Sequence, residues 1–113
     1  MPFISTKTTV TISKEQEKEL VRLFGNAIRN IGKTESYLML DFQDNHRMYF
    51  AGSDSHPCVF LDVSLLGTAS RNGYDALTKD LCDAVADVLG IDHGYIYVKY
   101  EEADIWGMNG SNF

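Results

Sequence analysis

The sequence contains few of the residues that disulfide scaffolds and metal-binding modules need. Only two of its 113 residues are cysteines, Cys58 and Cys82, too few for a disulfide framework or a multi-cysteine zinc module. No apolar run approaches the ~20 residues of a membrane-spanning helix, and the first residues have no signal-peptide layout. These absences predict a soluble protein made in the cytosol, with no structural metal and no membrane partner.

Basic residues are also scarce. Ten lysines and arginines stand against 16 acidic residues, which gives a formal net charge of -6. Such a charge repels phosphate backbones and anionic membrane surfaces, so nucleic acid is excluded as a first hypothesis. Small molecules and proteins remain as partners. A chain of 113 residues with 44% hydrophobic content predicts one folded domain over residues 1–113, because it is too short for two cores.

Proline is rare, and one of the two prolines is Pro2. Methionine aminopeptidase removes Met1 when the next residue is small, so we expect the mature chain to begin with a secondary amine. The alternative is a proline in a frayed end, since termini are usually disordered. Residues 3–10, however, are rich in β-branched and aromatic types and predict a strand that begins at the terminus.

The rest of the chain predicts a β-α-β unit used twice, in the α+β class. Ser13 and Gln16 form a capping box, and Gly32 ends a first helix over about 14–31. A second apolar stripe predicts a helix that runs from about Tyr74 to Gly90. The further predicted strands are 36–42, 47–50, 58–63 and 95–100, with a tail of loop or edge strand. Each long crossover makes its flanking strands parallel within one mixed sheet.

The hydrophobic pattern also predicts an oligomer. Each helix has an apolar stripe on one side, so the two helices can cover one face of the sheet. The strands 37–42 and 58–63 carry apolar residues on both faces. One chain leaves no residues to cover the second face, and a homo-oligomer would cover it.

Lys33 lies directly after the first helix, before the second strand. It can be a surface lysine that favours the negative end of the helix dipole. It can also lie near Pro2, because the sheet brings the start of the first strand close to this loop. A cation beside the Pro2 amine disfavours protonation of that amine, which would then be a neutral base near pH 7.

The chain carries a set of short motifs in a fixed order. They are Pro2 opening a strand, Gly32-Lys33 before Tyr37, Phe50-Ala51-Gly52-Ser53, Pro57-Cys58, Leu66-Gly67, Arg71-Asn72, Ile96-Tyr97 and the ending from Trp106 to Phe113. This ordered set resembles the macrophage migration inhibitory factor family of the tautomerase superfamily over essentially the whole chain. No single motif decides this; their joint order, the total length and the N-terminal proline make the resemblance specific.

The resemblance implies a homotrimer with an inner β-barrel, two helices on the outer face of each sheet, and pockets at subunit interfaces. Pro2 would be the general base and acid of a keto-enol tautomerase for aryl α-keto acids such as phenylpyruvate, with no metal and no cofactor. The implied substrate-binding residues are Lys33, the Leu66 backbone N–H, Tyr97 from the neighbouring chain, and the aromatic residues Trp106 and Phe113.

The sequence departs from the family at several positions. Lys99 replaces an asparagine that contacts substrate in known members, and it is either a second pocket cation or a solvent-facing strand lysine. Leu61 stands where a Cys-x-x-Cys pair would complete a redox site with Cys58, so we expect both cysteines to be small buried hydrophobes. The histidines His46, His56 and His93 and the acidic stretch 101–104 are expected to be solvated.

These departures leave a second function open. The chain can act as a cytokine-like signalling or binding protein through its trimer surface, with a vestigial pocket and a protein receptor as partner. That function implies secretion without a signal peptide, whereas a tautomerase fits the cytoplasm.

Overall fold

The chain folds as two β-α-β units that share a four-stranded sheet. The computed structural model describes all 113 residues, and its elements in chain order are β1 (Pro2–Thr8), α1 (Lys14–Ala27), β2 (Met39–Gln43), β3 (Val59–Leu66), α2 (Arg71–Leu89), β4 (Ile96–Ala103), β5 (Gly107–Met108) and β6 (Ser111–Asn112). The predicted α+β class is confirmed. Neither helix is both long enough and apolar enough to cross a membrane.

The first helix begins and ends at the signals that the sequence carries. Ser13 accepts a hydrogen bond from the backbone N–H of Gln16 at 3.1 Å, and the Gln16 side chain accepts one from the Ser13 N–H at 2.9 Å. The helix tightens into a 3-10 turn over Ile28–Ile31 and stops at Gly32, whose φ of 74° is the left-handed conformation that glycine adopts without strain. Lys33 is therefore the first residue after the glycine that ends the helix, and its backbone position is fixed by that helix end.

The sheet has the strand order β2-β1-β3-β4. Both crossovers join parallel strands, since β1 pairs with β2 and β3 pairs with β4 in parallel. This confirms the prediction from the connection lengths. The two units meet where β1 runs antiparallel to β3, with Pro2 opposite Leu65 and Thr8 opposite Val59. As a result, β1 and β2 begin at the same end of the sheet, along the strand direction, at which β3 and β4 finish.

The hydrophobic core lies between one face of this sheet and the two helices. Alternate residues of β1 and β3 are buried, as expected for strands with one covered face. The fully buried side chains include Ile4 and Leu61 from the sheet, Phe24 from α1 and Leu81 from α2. All four belong to one cluster of 16 buried residues, so both helices pack on the same face.

The other face of the sheet is mixed rather than apolar, which corrects the prediction for β2 and β3. A polar row crosses all four strands through Asp41, Ser5, Asp62 and Lys99. The Ser5 hydroxyl donates to Asp41 at 3.0 Å, and the Lys99 ammonium lies 3.4 Å from Asp62. The face also carries the large apolar side chains of Phe3, Met39, Phe60 and Tyr97, of which Met39 and Tyr97 are exposed.

Two predicted strands differ from the structure. The second strand begins at Met39, because Thr34 accepts a hydrogen bond from the Ser36 N–H and starts a 3-10 turn over Glu35–Tyr37. The expected strand over 47–50 is wrong, since only an isolated bridge joins Phe50 to Ser53. Neither difference changes the topology.

Candidate active site

A cavity of about 650 Å³ lies at the end of the sheet where β1 and β2 begin and β3 and β4 finish. Its floor is a row of side chains that crosses all four strands through Met39, Phe3, Ser64 and Glu101. The remaining lining residues are Met1, Pro2, Tyr37, Glu102, Ala103, Ile105, Trp106, Gly107 and Met108. The cavity is therefore mainly apolar, with Pro2 at the first residue of a central strand.

The C-terminal hairpin places Trp106 against this cavity. Asn109 and Gly110 both have positive φ, at 52° and 75°, as in the tight turns that join antiparallel strands. Below the turn, the backbone groups of Trp106 and Phe113 exchange two hydrogen bonds of 3.2 and 2.9 Å. The Asn-Gly pair is a strong hairpin signal, and it was available in the sequence where we predicted only a loop or edge strand.

The N-terminus is fixed by the end of β3. The backbone N–H of Leu66 donates to the carbonyl oxygen of Met1 at 3.2 Å, and the Lys33 ammonium donates to the carbonyl oxygen of Leu66, also at 3.2 Å. Both backbone groups of Leu66 are thus used, one toward the terminus and one toward Lys33. Three of the predicted site residues, Pro2, Lys33 and Leu66, come together in one region.

The environment of the terminus disfavours a charged amine. The pKa of the Met1 amine lies below its usual value, first because burial removes water from the ammonium form and second because the positive charge of Lys33 is close. While Met1 is present, the Pro2 nitrogen is an amide and cannot take up a proton. Once Met1 is removed, the Pro2 nitrogen becomes a secondary amine within the same region.

Tyr97 lies far from Pro2 within one chain. Along β4 it precedes Glu102 by five residues, a separation of about 17 Å in an extended strand. Its ring packs against Phe50 at 5.3 Å, and Phe50 also contacts Tyr95. Tyr97 is 58% exposed. A single chain does not bring Tyr97 to the cavity, and a second copy is needed for that contact.

Lys99 is held by carboxylates. Its ammonium lies 3.0 Å from Glu101 and 3.4 Å from Asp62. The hydrogen bond to Glu101 is the main reason why the pKa of Lys99 is raised. Lys99 does not line the cavity, and it holds Glu101 in place from the adjacent polar row. Phe113 pairs with Trp106 through its backbone, but its ring is not part of the cavity wall.

Two acidic residues are exposed, as predicted, and also line the cavity. Glu101 and Glu102 lie on opposite faces at the end of β4, and both border the site. Tyr74 donates its hydroxyl to Glu102 at 2.5 Å. Burial, followed by this hydrogen bond to the carboxylate, raises the pKa of Tyr74 to about 12, so the phenol remains protonated.

The cysteines lie outside the cavity. Cys58 is buried directly before β3, and Cys82 is half-buried in α2. Burial raises the pKa of both thiols, which keeps them protonated at neutral pH. This environment agrees with the expectation that they pack as small hydrophobes.

Comparison with known proteins identifies the family. The model of the macrophage migration inhibitory factor family matches residues 1–113. The chain belongs to this family. It is 30% identical to the macrophage migration inhibitory factor of Meriones unguiculatus, over 100% of this chain and 99% of that protein.

Solved structures show the same fold. The crystal structure of Leishmania major MIF2 matches with a TM-score of 0.93 and 29% identity, over 100% of this chain and 97% of that one. The Toxoplasma gondii macrophage migration inhibitory factor has a TM-score of 0.90 at 24% identity, over 98% and 99% of the two chains. The architecture is therefore the tautomerase-superfamily fold.

The contact between Met1 and Leu66 predicts a change in one backbone amide on processing. Removing Met1 takes away the acceptor of the Leu66 N–H, so this amide becomes free to exchange with solvent. Hydrogen exchange measured by NMR should therefore be faster at Leu66 in the chain that starts at Pro2 than in the chain that retains Met1. The amide of Val63, in the middle of β3, is the control and should not change. Equal exchange at Leu66 in both forms would contradict this role of Met1.

Proposed function

We propose that the chain without Met1 is a keto-enol tautomerase for aryl α-keto acids such as phenylpyruvate, with the Pro2 amine as general base and acid. The observation that carries this proposal is the position of Pro2, at the edge of an apolar cavity that Trp106 lines, in the region that Lys33 reaches. The cavity suits an aromatic ring, and Lys33 suits the carboxylate of the substrate.

The reaction needs a neutral amine and a way to stabilise an enolate. In the chain that retains Met1, burial and then the charge of Lys33 lower the pKa of the Met1 amine. We propose that the Pro2 amine, one residue further along, meets the same two influences once Met1 is removed, which would keep more of it neutral near pH 7. The Pro2 amine takes a proton from the carbon next to the ketone and returns it to the enolate oxygen. The Lys33 ammonium and the freed Leu66 N–H stabilise the negative charge that develops on oxygen.

We propose further that the protein assembles as a homotrimer with the mixed sheet faces forming an inner barrel. Two observations support this assembly. The open face carries exposed Met39 and Tyr97, at 67% and 58% exposure, which association would cover. Tyr97 also lies too far from its own Pro2, so in the trimer it would line the pocket of the neighbouring subunit.

The alternative function is that of a cytokine-like signal that acts through the trimer surface and binds a protein receptor. The observation that favours it is the charge of the cavity. Its charged lining side chains, Glu101 and Glu102, are both acidic, and acidic groups disfavour binding of an anionic keto acid. We propose a cytoplasmic location if the protein is a tautomerase. A cytokine-like protein would have to be secreted without a signal peptide. Receptor binding that persists in a Pro2→Ala variant would favour this alternative.

Replacing the proposed base tests the enzyme directly. Pro2→Gly still allows Met1 removal but replaces the secondary amine with a primary one that lacks the ring. We expect the turnover of phenylpyruvate to fall by about 100-fold or more, with the N-terminus of each protein verified by mass. Pro57→Gly changes the other proline and is the matched control. Equal rates for Pro2→Gly and the native chain would refute the role of Pro2.

The pH profile tests the role of Lys33. The positive charge of Lys33 lowers the pKa of the Met1 amine. If it acts in the same way on the Pro2 amine of the processed chain, Lys33→Ala should raise the pKa of that amine. The neutral amine is the active form, so the rising limb of kcat/KM should move to higher pH. Lys33→Arg keeps the charge and should keep the limb near its native position. A limb that does not move in Lys33→Ala would show that Lys33 does not tune the amine.

Sedimentation tests the assembly. The native chain should sediment as a trimer at micromolar concentration. Tyr97→Asp places a charge on the exposed apolar part of the open face and should shift the equilibrium toward monomer, while Tyr49→Asp, at an exposed tyrosine in the loop after β2, should not. A stable folded monomer of the native chain would contradict the proposed trimer.

A further inference from the structure

Asparagine is followed by glycine twice in the chain, at Asn72-Gly73 and at Asn109-Gly110. In such a pair the backbone nitrogen of the glycine can attack the side-chain amide of the asparagine, because glycine has no side chain that obstructs the approach. The reaction is favoured where the amide is exposed to water and the glycine N–H is free. The two pairs differ in both respects, so their rates should differ.

The pair Asn109-Gly110 forms the turn of the C-terminal hairpin. Both residues are exposed, and both have positive φ, at 52° and 75°. Neither the Gly110 N–H nor the side-chain amide of Asn109 makes a hydrogen bond. Apart from its chain neighbours, no atom lies within 4 Å of the point where a side chain would begin at Gly110. The attacking nitrogen and the amide are therefore both unpartnered and in contact with solvent.

The pair Asn72-Gly73 lies in the first turn of α2. The Gly73 N–H donates to the Ser70 hydroxyl at 3.0 Å as part of the helix N-cap. The point where a side chain would begin at Gly73 lies 2.7 Å from the carbonyl oxygen of Asn30. Attack by this nitrogen requires the cap to break and the helix start to open, which slows the reaction by about tenfold. The same dipeptide thus supplies a protected control within the chain.

We propose that Asn109 is a site of spontaneous deamidation that alters the wall of the cavity. The Gly110 nitrogen forms a bond to Cγ of Asn109, the bond from Cγ to the amide nitrogen breaks, and ammonia leaves with the proton of the Gly110 N–H. Water then opens the resulting succinimide at either of its two carbonyl groups. One opening gives aspartate, and the other gives isoaspartate, whose main chain runs through the former side chain. This inference does not depend on the proposed function.

Isoaspartate is the product that changes the cavity. The two-residue turn sets the register in which Met108 faces Ser111. Isoaspartate adds one methylene to the backbone of that turn, so the strands lose this register, and the hydrogen bonds between Trp106 and Phe113 are lost with it. Trp106 and Met108 both line the cavity, so one wall is displaced. Aspartate adds a negative charge but keeps an Asp-Gly turn, which suits a two-residue hairpin.

Peptide mass spectrometry of the native chain tests the site. The chain without Met1, with its mass verified, is incubated in mildly alkaline buffer and sampled over time. We expect the mass gain of an amide-to-acid conversion to accumulate at Asn109 about tenfold faster than at Asn72. Methyl transfer by an isoaspartate-specific methyltransferase should detect isoaspartate in the Asn109 peptide. No mass gain at Asn109, or equal rates at the two asparagines, would overturn the site.

Fluorescence tests the effect on the cavity wall, because Trp106 is the single tryptophan of the chain. Its emission should shift to longer wavelength as isoaspartate accumulates, since the ring becomes more exposed. Asn109→Gly removes the amide and keeps a Gly-Gly turn, which also suits positive φ, so its emission should not change on incubation. Freshly prepared Asn109→Asp carries the charge without the added methylene and should match the fresh native chain.

The outcomes decide the two parts of the inference separately. Emission that stays constant while isoaspartate accumulates, or that shifts equally in Asn109→Gly, overturns the effect on the wall. A shift already present in fresh Asn109→Asp assigns the change to charge and contradicts the register argument. The masses of the native peptides decide the site without any variant, so a variant that fails to fold does not affect that result.

Discussion

The antiparallel pairing of β1 with β3 is the interaction on which the rest of the structure depends. It joins two β-α-β units into one sheet and places the first residue of β1 beside the last residues of β3. Without it, Pro2 would have no fixed relation to Leu66, Lys33 or the end of β4. The register of this pair therefore decides the composition of the cavity, and the helices contribute by burying the opposite face of the same strands.

Much of the framework could be predicted because the signals that specify it are local. The Ser13 and Gln16 capping box and the glycine stop at Gly32 act within a few residues, and the helix has the limits that they indicate. The parallel pairing follows from a general rule of chain connection. The approach of Lys33 to the terminus follows in turn, because it depends on a helix end and on two parallel strand starts.

The charges around the cavity could not be predicted in the same way, because they depend on cross-strand register. The sequence shows Glu101 and Glu102 as a short acidic stretch, which is usually solvated. Only the pairing of β3 with β4 shows that Ser64 lies beside Glu101 and that Lys99 lies beside Asp62. Within one chain Lys99 is an exposed strand residue outside the cavity, which agrees with the solvent-facing alternative, and the register adds its pairing with two carboxylates.

Both ends of this sequence meet at the cavity. Met1 and Pro2 line it, and Phe113 is paired through its backbone with Trp106, which also lines it. An affinity tag or a fused domain at either end is consequently a chemical change to the cavity itself. For protein engineering, the exposed turn around His46, between β2 and β3, is a more neutral attachment point, because it lies at the opposite edge of the sheet.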